Sequence, residues 1–161
     1  MRQLLAFLGA LAIAALAAIP ATTITQRPDF SGSWTLRHVA ADPRMRTGAG
    51  PDFFAGSRLV VEQTSETLTV TQTAPRSHPR LSFALDGKDS SNTLPDPRDG
   101  STMRFVTRAT WDRDTLVLET SEPWEMMSRW SLTPDGQLSM QVRAPNIEVG
   151  TSTIHVLYSR K

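Results

Sequence analysis

The side chains in this sequence that most often carry chemistry include three histidines and sixteen acids. His38, His78 and His155 lack the spacing of metal ligands. His155 alternates with apolar neighbours, which predicts an outward position, whereas a haem-binding barrel would need an inward histidine late in the chain. Cysteine is absent, which excludes thiol catalysis and Cys-ligated zinc. The sequence therefore predicts no metal site and no cofactor.

The acidic residues offer a second chemistry. Glu119, Glu122 and Glu125 cluster around Trp124. Paired carboxylates serve acid–base catalysis when they face each other across a cleft, and solvated charges at strand ends explain these acids equally well. No serine lies in a Gly-x-Ser-x-Gly turn, and no Gly-x-x-x-x-Gly-Lys phosphate loop occurs. We therefore assign no catalytic residue.

The elements that must position these side chains are short alternating segments separated by turns. Alternation of apolar and polar residues is typical of half-buried strands. Residues 88–101 have the composition of a loop, and Pro134-Asp135-Gly136 predicts a tight turn between neighbouring strands. About nine strands joined mostly by short hairpins predict an all-β, antiparallel, up-and-down barrel or a sandwich.

The first residues resemble an export signal. Arg2 precedes an apolar run from Leu4 to Ile19, and Ala21 provides a small residue at a plausible cleavage point. We therefore expect a signal peptide at 1–21, a single domain at 22–161, a periplasmic or secreted protein, and no stable membrane anchor after cleavage. Cleavage removes one of 17 basic residues and none of 16 acidic ones, and this neutral balance argues against nucleic-acid binding.

Large residues share the predicted inner faces of successive strands. A barrel of about eight strands has an interior that is either filled by side chains or holds one small ligand, and the sequence leaves both open. If a ligand is held, its predicted contacts are the interior residues Phe83, Phe105, Trp111, Trp130, Gln63, Thr107 and Tyr158. Residues 38–56 either fold over the barrel mouth, with Phe53 and Phe54 at the entrance, or form a surface excursion.

One motif carries a family resemblance. Pro28-Asp29-Phe30-Ser31-Gly32-Ser33-Trp34 resembles the opening strand of lipocalins and related calycins, whose signature is Gly-x-Trp. In those families the Trp plugs the closed barrel end and a late Arg packs over its ring. The resemblance implies these roles for Trp34 and Arg160, with Gly32 leaving room beside the ring. The chain is also similar to small secreted bacterial proteins of unknown function that begin Asp-Phe-Ser-Gly-Thr-Trp.

Three hypotheses follow. The first is an exported lipocalin-like barrel of about eight or nine strands that binds a small hydrophobic molecule without catalysis. The second is a ligand-free periplasmic interaction or envelope-stress module. The third, and least favoured, is a hydrolase or isomerase on the same barrel. The oligomeric state is not predicted by the sequence.

The exported form is expected to begin near Thr22, because Ala21 ends the segment that signal peptidase would remove. Intact-mass measurement of periplasmic material after expression in a Gram-negative host checks this. Retention of Met1 to Ala18 in a membrane fraction would show that the segment is not cleaved.

Overall fold

The structure, a computed structural model, describes residues 27–41, 57–73, 78–95, 99–123, 125–146 and 150–161. The predicted signal peptide and the predicted mouth residues Phe53 and Phe54 lie outside these ranges. The described residues form ten strands: β1 (Gly32–Ala41), β2 (Arg58–Gln63), β3 (Thr67–Thr73), β4 (Arg80–Ala84), β5 (Asp89–Pro95), β6 (Thr102–Asp112), β7 (Thr115–Glu122), β8 (Met126–Leu132), β9 (Leu138–Asn146) and β10 (Gly150–Arg160). No helix long and apolar enough to cross a bilayer occurs in the described part of the chain.

All ten strands belong to one antiparallel sheet, in the order β4-β3-β2-β1-β10-β9-β8-β7-β6-β5. Strands that follow each other in sequence are neighbours, except β4 and β5, which form the two ends of the order. The last strand, β10, also pairs with β1. The sheet curls into a nearly closed barrel. The prediction of an all-β antiparallel barrel is therefore confirmed.

Two boundaries differ from the prediction. The strand count is ten because β5 occupies Asp89–Pro95, within the stretch 88–101 that composition marked as a loop. Its backbone pairs with β6, for example Asn92 with Phe105, and this pairing overrides the low strand propensity of Asp, Ser and Asn. The predicted excursion at 38–56 also starts too early, since residues 38–41 still pair with β10 after a bulge between Leu36 and His38.

Side chains alternate between the interior and the solvent along the strands, because successive residues of a strand point to opposite faces. In β2, Leu59 is fully buried while its neighbour Val60 is 39% exposed. In β10, His155 is exposed between the buried Ile154 and Val156. The outward position predicted for His155 is correct.

One end of the barrel is closed around Trp34. Its indole is fully buried, and its Nε1 donates a hydrogen bond of 2.8 Å to the Phe30 carbonyl. The Arg160 guanidinium carbon lies 4.8 Å from the centroid of the Trp34 ring, the cation–π arrangement that the resemblance implies.

Gly32 has a different role from the one expected. A Cβ added at Gly32 would lie 3.6 Å from Arg160 Nε, which is ordinary van der Waals contact, but the backbone has a φ of +136°. Side-chain-bearing residues rarely adopt this conformation. Gly32 therefore provides backbone freedom at the start of β1 rather than space beside the indole.

The segment before β1 lies across this closed end. The Phe30 ring stacks on Trp111 at a centroid distance of 5.9 Å and meets Trp130 edge-on at 6.1 Å. Gln63 fixes the backbone: its Oε1 accepts from the Phe30 amide at 3.0 Å and its Nε2 donates to the Pro28 carbonyl at 2.9 Å. The closed end thus consists of aromatic rings held by side-chain to backbone hydrogen bonds.

Trp34→Ala is expected to lower the free energy of unfolding by about 3–5 kcal/mol, because it removes a fully buried indole and leaves a cavity. Arg160→Ala should cost less, since Arg160 is exposed and its contact with Trp34 contributes about 0.5–1 kcal/mol. Denaturant unfolding of the two single variants and the double variant checks this. The two effects should overlap, as expected of residues in contact; strictly additive effects would contradict the pairing. Arg143→Ala, on the exposed face of β9, is the control.

Candidate functional site

A small cavity occupies the barrel interior away from the Trp34 end. Its volume is about 80 Å³, and inward side chains of β3 to β9 line it. The largest apolar contributors are Phe83, Phe105 and Trp130, which are 6%, 6% and 3% exposed. These three rings come from β4, β6 and β8, so the cavity exists because closure of the sheet brings distant strands to face each other.

The structure brings together only some of the predicted site residues. Phe83, Phe105, Trp130 and Thr107 line the cavity. Gln63, Trp111 and Tyr158 are not among its lining residues. Alternation predicts which face a residue occupies, but not its height along the barrel axis, and these three lie nearer the closed end. Gln63 and Trp111 are engaged there by the segment before β1, and Tyr158 is fully buried beside Leu36, its partner in β1.

Five polar residues also line the cavity, and we name them the polar belt: Gln72, Asn92, Thr107, Thr120 and Ser128. All five are at most 9% exposed. Only Thr107 was predicted. Gln72, Thr120 and Ser128 lie at inward-facing positions that continue the alternation of predicted strands, so alternation was a sufficient signal for these three. Asn92 lies in β5, within the stretch that composition marked as a loop, and had no such signal.

Most of the polar belt is hydrogen-bonded within the protein. The hydroxyls of Thr107 and Thr120, paired across β6 and β7, are 2.9 Å apart and either one donates. Trp130 Nε1 donates to the Ser128 hydroxyl at 2.8 Å. These contacts satisfy polar groups that burial would otherwise make costly.

Asn92 bridges the two end strands of the sheet. The Ser82 amide donates to Asn92 Oδ1 at 2.7 Å, and Asn92 Nδ2 donates to the Ser82 carbonyl at 2.9 Å. The Ala84 amide donates to the Ser90 hydroxyl at 2.8 Å. The side-chain amide of Asn92 therefore takes the place that a peptide group of a neighbouring strand would occupy, and it closes the cavity wall between β4 and β5.

Gln72 is the exception in the belt. Its backbone amide donates to the Pro79 carbonyl at 2.9 Å, but its side-chain amide has no hydrogen-bond partner among the described residues. The residue is only 9% exposed. An unpaired amide beside the cavity is available to a molecule that enters it.

Ionisable groups lie elsewhere. None of the residues found to line the cavity carries a charge. Glu119, Glu122 and Glu125 are exposed, and no group of three or more His, Asp or Glu residues able to hold a metal ion occurs within the described ranges. Burial raises the pKa of the Tyr158 phenol, which stays neutral. Hydrogen bonds from Ser31 lower the pKa of Asp29 in the segment before β1.

A larger groove of about 590 Å³ opens on the outer surface and shares Thr120 and Met126 with the cavity. A row of paired positions crosses it, from Asp89 through Arg108, Glu119 and Met127 to Arg143. Arg108 Nη2 contacts the Asp89 carboxylate at 3.0 Å. Both residues of this ion pair are more than half exposed, so the groove is a solvated, charged surface.

Comparison with known proteins identifies the fold. No family model matches the chain, and no curated protein matches. Among solved structures, a REP1-NXSQ fatty acid transporter has a TM-score of 0.59 at 12% identity, covering 81% of this chain and 95% of its own. The zebrafish ileal bile acid-binding protein complexed with cholic acid has a TM-score of 0.62 at 18% identity, covering 82% and 98%. Apo lipid binding protein 8 of Caenorhabditis elegans has a TM-score of 0.56 at 13% identity, covering 82% and 95%. At these identities the similarity establishes the barrel fold alone.

Asn92→Ala is expected to lower the free energy of unfolding by about 1–3 kcal/mol, because the Ser82 amide and carbonyl lose their partner. The local signature is faster hydrogen exchange at the Ser82 amide. Thr93→Ala, on the exposed face of β5, is the matched control. Unchanged exchange at Ser82 would show that Asn92 does not hold β4 and β5 together.

Proposed function

We propose that this chain is an exported, non-catalytic barrel that binds a small hydrophobic molecule in its interior. The observation that carries the proposal is the cavity walled by Phe83, Phe105 and Trp130. Aromatic rings that face a partly open cavity offer apolar contact area to a ligand. The apparent signal peptide at 1–21 is the basis for the exported location.

The structural neighbours support the same class of ligand. Their names describe a fatty acid transporter, a bile acid-binding protein with cholic acid bound, and a lipid binding protein. The similarity to these proteins is one of fold, and the ligand of each is a property of that protein. The shared fold makes an apolar small molecule the first class of ligand to test on this chain.

Cavity size limits the ligand. Typical ligand pockets have volumes of about 300–1,000 Å³, against about 80 Å³ here. An apolar cavity of about 150 Å³ holds one benzene molecule, so this smaller, partly open cavity encloses only a few heavy atoms and leaves the rest of a larger molecule outside it. Small ligands gain at most about 1.5 kcal/mol per heavy atom. We therefore expect a small molecule, or one end of a larger one, and dissociation constants between about 10 μM and 10 mM.

The outer groove supports a second function. At about 590 Å³ it is larger than the interior cavity, and it is lined by Arg108, Arg143, Glu119 and Glu125. A barrel with a filled interior that contacts a partner through this charged surface corresponds to the interaction-module hypothesis. The groove and the cavity share Thr120 and Met126, but the charged side chains line only the groove and the rings of Phe83, Phe105 and Trp130 line only the cavity.

Two methionines distinguish these functions, because Met140 lines the interior cavity and Met127 lines the outer groove. Residues 22–161 labelled with methyl-¹³C methionine are titrated with cyclopentane, toluene and octanol. We expect a saturable shift of the Met140 methyl signal and no shift at Met127.

Val142→Phe should abolish this shift, since it adds a ring to the cavity wall. Gln141→Phe, the neighbouring position on the outer face, should leave the shift unchanged. Thermal unfolding confirms that both variants fold. Shifts confined to Met127 would favour the interaction module, and no saturable shift at Met140 with any probe would refute the proposed function.

A further inference from the structure

We propose that the ligand carries an uncharged polar group, a hydroxyl or a carboxamide, which hydrogen-bonds to the side-chain amide of Gln72 within the polar belt. This inference rests on the proposed function and specifies the chemical class of its ligand. It depends on three observations: the unpaired amide of Gln72, the arrangement of the belt, and the absence of charge in the described cavity lining.

The polar belt extends over β5 to β8 with offsets of two residues between some strands, and Gln72 on β3 lines the same cavity. Thr107 and Thr120 are direct cross-strand partners. Ser128 pairs with Leu118, two residues from Thr120, and Asn92 pairs with Phe105, two residues from Thr107. Several apolar residues lie two positions from members of the belt on the same strand and also line the cavity, among them Phe105 beside Thr107 and Leu118 beside Thr120. The cavity therefore combines apolar walls with one band of hydrogen-bonding groups.

The hydrogen bonds inside the belt leave unused capacity. One proton of the Thr107 and Thr120 hydroxyl pair is left over. The Ser128 hydroxyl accepts from Trp130 Nε1 and still has its own proton to donate. Gln72 contributes two N–H donors and one carbonyl acceptor, with no partner among the described residues. A ligand group that both donates and accepts matches this set.

Charge is disfavoured at the same place. The ionisable residues closest in sequence to the belt, Arg108, Glu119 and Arg129, lie on the outward-facing positions beside Thr107, Thr120 and Ser128. A carboxylate or ammonium group inside the cavity would lose its hydration without gaining a counter-charge. A neutral polar group loses less hydration free energy on leaving water than a charged group does. Its hydrogen bonds to the polar belt compensate for that loss.

The test compares pentanamide with pentanoate, two molecules of the same shape that differ in charge at neutral pH. Binding to residues 22–161 is followed by the Met140 methyl signal, with toluene as a purely apolar probe. We expect pentanamide to bind at least tenfold more tightly than pentanoate. The side-chain ¹⁵NH₂ signal of Gln72 should shift with pentanamide and not with toluene.

Substitution of Gln72 separates hydrogen bonding from simple hydrophobicity. Gln72→Leu should weaken pentanamide binding about fivefold, the effect of one net hydrogen bond, and should change toluene binding by less than twofold. Gln141→Leu, on the outer face of β9, is the matched control and should change neither. Gln72→Met, an unbranched apolar replacement of similar length, should reproduce the result if Gln72→Leu fails to fold.

The outcomes separate this inference from the function on which it rests. If toluene, cyclopentane and octanol all fail to bind inside the wild-type barrel, the proposed function itself is wrong. If an apolar probe binds and pentanoate binds as tightly as pentanamide, the ligand is not restricted to neutral groups and the inference is overturned. If pentanamide is preferred but neither Gln72 variant weakens it, Gln72 is not the contact.

Discussion

Closure of a single antiparallel sheet is the constraint on which the rest of this structure depends. Because the last strand pairs with the first, and β4 and β5 come to face each other, every inward position on ten strands shares one interior. An open sheet with the same alternation would need a second layer to cover its apolar face. Here Phe83, Phe105 and Trp130 face one shared interior cavity instead.

The interior is divided along its axis into two chemically different halves. The closed half is packed with aromatic rings around Phe30 and Trp34, and the indole nitrogen of Trp34 is satisfied by a backbone carbonyl. The open half has fewer rings and contains the polar belt. Exposed ion pairs such as Arg129 with Asp112, joined at 2.7 Å, contribute little to stability. Stability therefore depends mainly on the buried core, which extends from Phe30 and Trp34 to Trp130 and Met140 in the cavity wall.

Alternation in the sequence predicted the inward faces, and hence Phe83, Phe105, Trp130 and Thr107 in the cavity wall. The Gly-x-Trp motif and the late Arg160 predicted the closed end. Height along the barrel was not predictable, because it depends on strand tilt and register, and for this reason Gln63, Trp111 and Tyr158 were placed beside the ligand. β5 was missed since Ser90 and Asn92 belong to types common in turns. Here their side chains hydrogen-bond to the backbone of β4. This role depends on β4 lying beside β5, which the sequence does not reveal.

That bridge has a consequence beyond the cavity wall. Strands at the end of a sheet present unpaired backbone groups, to which a strand of another molecule can add. In β4 the amides of Ser82 and Ala84 are already occupied by Asn92 and Ser90. The backbone amides of Ser82 and Ala84 are therefore not available to pair with a strand of another molecule. Two small side chains, those of Ser90 and Asn92, thus protect an incompletely closed sheet against the addition of a strand from another molecule at these positions.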